Sequence, residues 1–189
     1  MDEILPGFVV WLTGLPASGK TSLAHAMQTR LRSQNICVVI LDSDEMRACL
    51  TPHPLFTDEE RTWFYAVLTD LAAHLSHSGI NVIIAATGNL RSYRENARRQ
   101  VSCYAEVYLQ CPLVICEARD SKGLYKSARN GEADFVPGVS VPYEPPFAPE
   151  LVIDVTHVLP KDAADSVIRQ LTLTGVISGE KRYAHATVA

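Results

Sequence analysis

The sequence predicts an α/β domain built on a five-stranded parallel sheet with helices on both faces and a lid segment. Three observations predict it. Short β-branched runs recur along the chain and alternate with longer segments whose apolar residues repeat at helical spacing. The runs are almost wholly apolar instead of alternating, as strands covered on both faces are. The first run feeds a glycine-spaced loop, Gly14-Leu15-Pro16-Ala17-Ser18-Gly19-Lys20-Thr21, which opens a helix.

That loop has Gly, four variable residues, then Gly-Lys-Thr, the pattern that cradles a nucleotide's phosphates. Glycines let backbone N–H groups approach phosphate oxygens, and the helix start adds its positive end. Lys20 places a cation on the β- and γ-phosphates, and the Thr21 hydroxyl holds Mg²⁺. Its context is the required one, a strand at Phe8–Thr13 before and an amphipathic helix from Ser22 to Leu31 after. The fold class is therefore the P-loop NTPase class.

Cys37–Leu41 reads as a second, fully buried strand running into Asp42-Ser43-Asp44. Carboxylates at a parallel strand's C-terminal end lie on the edge where open α/β sheets bind ligands. They suit Mg²⁺ ordering or proton acceptance from an attacking hydroxyl; equally, Asp44 suits an N-cap for a helix starting near Glu45, with Asp42 solvated. Thr57 and Glu60 form a capping box for a long helix that Gly79 stops, and Trp63 and Phe64 read as core or cleft wall. Asn81–Ala86 is the third strand, followed at the same edge by Thr87-Gly88-Asn89. Arg91, Arg94, Arg98 and Arg99 dot the next helix and read as a solvated face, from which one or two could reach a ligand phosphate. Ala105–Leu109 is the fourth strand, Leu113–Arg119 a helix, and Lys122–Arg129 a short basic helix. Residues from about 120 to 149 carry many Pro and Gly and read as a lid. Leu151–Val155 is the fifth strand and Lys161–Leu173 the last helix.

A chain of 189 residues suits a single domain, with a core from about 7 to 175 and a frayed tail from about 178 to 189. A net charge of −4 gives nucleic acid no electrostatic attraction. No apolar stretch reaches the length of a membrane span, and Asp2 and Glu3 stand where an export signal carries basic residues. Five cysteines without paired spacing read as reduced thiols in the cytoplasm.

Four stretches resemble the adenylylsulfate kinase family: Val10-Trp11-Leu12-Thr13-Gly14-Leu15, Leu41-Asp42-Ser43-Asp44-Glu45-Met46-Arg47, the run Pro112 to Arg129, and Pro142-Tyr143-Glu144-Pro145-Pro146. The resemblance implies transfer of the γ-phosphoryl of ATP to the ribose 3′-hydroxyl of adenylylsulfate, a small-molecule acceptor, with Mg²⁺ and commonly in a homodimer. It implies ATP binding by Gly14 to Ser22 and by Arg119 against the adenine, with Thr21 and Asp42 at the metal. Lys20, Asp42 and Asp44 become the catalytic set, Asp44 orienting or deprotonating the acceptor hydroxyl. Arg47, Phe56, Arg61, Thr87 and Lys122 fall on the acceptor side, and Arg129 and Phe135 in the lid.

The departures from the family pattern cluster on the acceptor side. An asparagine becomes Phe64, two arginines become Ala66 and Val67, a serine becomes Gly88, and the lid phenylalanine aligns with Val136, one position after Phe135. Losing a stacking ring forfeits on the order of 1–3 kcal/mol. Two alternatives therefore stand beside adenylylsulfate phosphorylation: a paralogous kinase for another hydroxyl-bearing metabolite, and a nucleotide-binding subunit without catalysis.

Overall fold

The computed structural model describes residues 5–177. Five strands, β1 (Val9–Thr13), β2 (Val38–Asp42), β3 (Asn81–Ala85), β4 (Tyr104–Gln110) and β5 (Leu151–Asp154), form one sheet in the order β2-β3-β1-β4-β5. Every neighbouring pair is parallel, and central β1 sets Val10 beside both Ile83 and Ala105. The helices are α1 (Lys20–Arg32), α2 (Ser43–Leu50), α3 (Asp58–His77), α4 (Arg91–Gln100), α5 (Leu113–Arg119), α6 (Leu124–Arg129) and α7 (Pro160–Leu173). The chain leaves β1 for the β2 edge, returns to β3, then crosses to β4 on the other side of β1. That reversal opens a crevice at the C-terminal end of β1, and the phosphate loop occupies it.

The period of two along β1 divides the core into two layers. Val10 and Leu12 pack with Leu23, Met27 and Leu31 of α1 and with Val167 and Leu171 of α7. Val9 and Trp11 face the other way, against Phe64, Leu68 and Ala72 of α3 and Tyr93 and Ala97 of α4. The buried Trp11 indole still finds an acceptor, Nε1 donating to Ala86 O at 3.0 Å.

The structure corrects several expectations. The second strand is not fully buried: β2 is a sheet edge, with Val39 39% exposed and only Leu41 and Asp42 buried. Helix α2 starts at Ser43, and its cap is Asp42, whose Oδ1 accepts from Asp44 N at 2.8 Å. Asp42 is thus buried and Asp44 is free of capping. Trp63 lies largely outside the core, whereas Phe64 is fully buried.

The capping box is half made. Thr57 Oγ1 accepts from Glu60 N at 3.3 Å, but the Glu60 carboxylate reaches past Thr57 to the amides of Leu55 (2.6 Å) and Phe56 (3.2 Å). Arg94 is not solvated: it is 1% exposed and paired with the equally buried Glu106 of β4. A carboxylate in the middle of an apolar strand needs such a partner. The tail from residue 178 and the acidic start at Asp2 and Glu3 lie outside the described residues.

Candidate active site

A cavity of about 1200 Å³ runs along the C-terminal edge of the sheet, with the phosphate loop at one end and residues of α2, α3 and the 132–137 segment at the other. Pro16 to Ser22 line it; Gly14 and Leu15 stand behind, their carbonyls accepting from Lys20 Nζ at 3.0 and 2.8 Å. Gly14 has φ +154, and any Cβ there would come within 2.7 Å of Leu109 O, so the loop's close approach to β4 requires glycine. Burial lowers the Lys20 pKa to about 8, against the opposing pull of Cys116, Asp44 and Asp42. A cation so desolvated, holding only backbone carbonyls, is poised for an anion.

Two further observations fit a phosphate–metal group here. Among the described residues Ser18 Oγ has no hydrogen-bond partner although it is buried, and its residue lines the cavity. Thr21 Oγ1 donates to Asp42 Oδ2 at 2.6 Å, which brings two hard oxygen donors together beside the loop. Among the described residues no group of three or more His, Cys, Asp or Glu could hold a metal, so a cation at Thr21 and Asp42 would complete its shell with phosphate and water. That is the ordinary manner of Mg²⁺ in phosphoryl-transfer sites.

Asp44 projects from the first turn of α2, its side chain 67% exposed, and accepts from Lys122 Nζ at 2.5 Å. Both residues line the cavity, and the pairing raises the Lys122 pKa, first through the hydrogen bond and then through the charge of Asp44. Arg119, at the end of α5, donates from Nη2 to Val155 O (3.1 Å) and Thr156 O (2.7 Å) beyond β5. Its guanidinium is thereby fixed in the cavity wall.

At the end away from the phosphate loop, Arg47 Nη1 pairs with Glu60 Oε1 at 3.1 Å, and the guanidinium lies over the Phe64 ring at 3.9 Å and the Phe56 ring at 5.1 Å. Phe56 takes a left-handed conformation, φ 57, costly for a non-glycine residue, which the Glu60 contacts to its own and the preceding amide hold in place. Arg61 is 5% exposed; Nε donates to Phe56 O at 3.1 Å and Nη2 to Phe135 O, with the guanidinium 5.5 Å from the Phe135 ring. Burial lowers its pKa from the usual arginine value. It fastens the Phe56 loop to the 132–137 segment. Phe135 lines the cavity at 37% exposure, while Val136 is buried in the core at 1%. Both residues line the cavity, but only the shifted aromatic keeps its side chain substantially exposed there.

Thr87 lines the cavity between these two ends, and its carbonyl accepts from Thr13 Oγ1 at 2.7 Å. Gly88 next to it has φ +49, and an added Cβ would meet Trp11 Cζ2 at 2.8 Å. A serine cannot occupy this position without moving Trp11. Arg129, like Gly14 and Leu15, is a site candidate outside the cavity lining: it ends α6 and pairs with Glu117 of α5.

Several positioning contacts escaped the sequence reading. Tyr65 Oη accepts from Gly88 N at 3.1 Å, and Arg94 donates to Gly88 O and, at 2.7 Å, to Glu144 O. Asn89 Nδ2 donates to Pro142 O (3.2 Å), and Glu144 N donates to Asn89 O (2.8 Å). The end of the expected lid is thus a strap tied to the loop after β3. Tyr125 of α6 holds the other end, its hydroxyl donating to Pro16 O at 2.8 Å. The signal for Arg94 was present, since Glu106 interrupts an apolar strand and calls for a buried cation.

The family model for adenylylsulphate kinase matches residues 6–154, β1 through β5. The chain belongs to the adenylylsulphate kinase family. It is 40% identical over 147 residues to a probable adenylyl-sulfate kinase of Archaeoglobus fulgidus, covering 78% of this chain and 95% of the relative. With a probable adenylyl-sulfate kinase of Bacillus subtilis it shares 43% identity over 148 residues, 77% of this chain and 75% of the other. Among solved structures, the Mycobacterium tuberculosis APS kinase in complex with AMPPNP and APS superposes with a TM-score of 0.83 at 32% identity, covering 88% of this chain and 98% of that one. Every site side chain named above falls within the span the family model matches.

Proposed function

We propose that this chain is an ATP-dependent kinase that transfers the γ-phosphoryl of ATP to the ribose 3′-hydroxyl of adenylylsulfate. The observation that carries the reading is the Thr21–Asp42–Asp44 arrangement. One carboxylate is spent on the phosphate-loop threonine and the helix cap, and the second projects into the cleft beside it, held only by Lys122 among the described residues. Family membership supports the acceptor's identity.

In this reading the phosphate loop and Lys20 hold the phosphates, Thr21 and Asp42 hold Mg²⁺, and Arg119 lies against the adenine. The metal supplies neutralisation of charge on the transferring phosphoryl group. Asp44 takes or orients the proton of the acceptor hydroxyl; leaving Lys122 is part of becoming available. Arg47 and Arg61 face the acceptor's anionic end, and Phe135 offers a ring to its base. The whole acts as one kinase domain in the cytoplasm, a reading that its five free cysteines support, and as a homodimer, as family membership suggests.

A paralogous kinase for another hydroxyl-bearing metabolite is the second reading. It rests on the two cavity arginines, which already hold protein partners. ADP release by the purified protein with ATP and Mg²⁺, with and without adenylylsulfate, separates the two. Acceleration by adenylylsulfate supports the first; its absence over the whole usable concentration range removes it.

A further inference from the structure

The family pattern carries an asparagine where this chain has Phe64, a change that reads as a lost acceptor contact. The geometry gives it a different role. Phe64 is 0% exposed, wedged edge-on against Tyr65 with ring centroids 5.4 Å apart, and its face lies 3.9 Å beneath the Arg47 guanidinium. Arg47 approaches from α2, a helix with no buried residue of its own, so little of its local packing fixes the arginine. What fixes it is α3: Phe64 sets the plane of the guanidinium and Glu60, one turn earlier, takes Nη1. Among the described residues, Glu60 is the only acceptor recorded for the Arg47 side chain. A guanidinium has five N–H groups in a rigid fork, so most of them stay available to a ligand in the cavity that Arg47 lines.

We propose that Phe64 is the specificity-determining positioning residue of the acceptor site. Its buried ring holds the Arg47 fork flat so that the free N–H edge meets an oxyanion of the acceptor, the sulfate or phosphate group of a nucleotide-linked sulfate. Where the family pattern has an asparagine, this chain thus has a ring that fixes the orientation of an arginine the pattern also carries, so that this ordering is in place before binding. The inference rests on the acceptor reading above and deepens it.

The experiment measures adenylylsulfate KM, ATP KM and kcat for the full chain, and adenylylsulfate affinity by calorimetry, in wild type, F64L, R47A and F64L/R47A. Leucine keeps the site apolar and removes the ring face. F64L is expected to raise the adenylylsulfate KM and Kd by roughly three- to thirty-fold. The ATP KM stays unchanged, which a general loss of packing would not produce. In the R47A background F64L adds nothing, because its effect runs through Arg47. F64M, also apolar and without the ring face, carries the same expectation should F64L fail to fold. Unchanged acceptor affinity in F64L or F64M, or an equal loss with and without Arg47, overturns the proposal. Wild-type protein that neither binds nor phosphorylates adenylylsulfate overturns the acceptor reading itself, a distinct result.

Discussion

The two ends of the cavity are built on different physical plans. The phosphate end is a single stretch of chain, Gly14 to Thr21, whose ligands are backbone amides, one buried lysine and one threonine tied to Asp42. The acceptor end is assembled from side chains on α2, α3, the loop after β3 and the 132–137 segment, each held by another. A backbone cradle tolerates little change, because its spacing is the site. A side-chain assembly can exchange members if the exchange is concerted, and here Phe64 for asparagine and Phe135 for the aligned valine position are such exchanges. The difference teaches why a family can keep its phosphate donor machinery and still vary the acceptor wall.

The sharpest break of this comparison comes from Asp44, where the two ends meet. D44N should lower kcat by roughly 10²–10⁴-fold if the carboxylate handles the hydroxyl proton, while ATP affinity by calorimetry holds. E106Q attacks the support beneath the acceptor end and leaves the phosphate loop alone. It strands the buried Arg94, which also holds Gly88 and Glu144, so thermal or urea unfolding should show a loss of about 3–5 kcal/mol. K20A removes the donor-side cation and should cost about 10²–10³-fold in kcat/KM for ATP, with the fold retained by circular dichroism.

G88S, which restores the family's serine, should destabilise the protein by about 1–3 kcal/mol through the left-handed backbone and the Trp11 contact. It should raise the acceptor KM more than the ATP KM. The smallest effect is a proton. Lys20 is lowered to about 8 by burial, and bound phosphates restore its charge. ATP binding should therefore take up to about one proton above pH 8, and ATP affinity should fall as pH rises past that value. Calorimetry in buffers of different ionisation enthalpy reads the uptake; its absence at pH 8.5 places the charge elsewhere.

The legibility of the sequence followed the same division. The strands, the loop and α5 could be read because apolar runs, glycine spacing and Pro112 are local signals, and the site residues of the phosphate end are contiguous. Strand order is not readable from apolar runs, and the run that reads as fully buried is in fact the edge strand β2. Whether Asp42 or Asp44 caps α2 stays open in the sequence, because the choice between two nearby carboxylates depends on where the strand stops. Glu60 was read only as a cap; its grip on Arg47 needs α2 and α3 side by side. Arg94 was lost in a run of four arginines, although Glu106 in a core strand was the visible counterpart.

The central claim is that a phosphoryl group leaves ATP for one particular hydroxyl across the sheet edge. The most direct test is the structure of the product formed from ATP, Mg²⁺ and adenylylsulfate, read by phosphorus-31 NMR and fragmentation mass spectrometry. The account predicts a single new phosphate monoester at the ribose 3′ position, and none with D44N on the same time scale. A phosphate on another hydroxyl, or ATP consumed with adenylylsulfate unchanged, would contradict it.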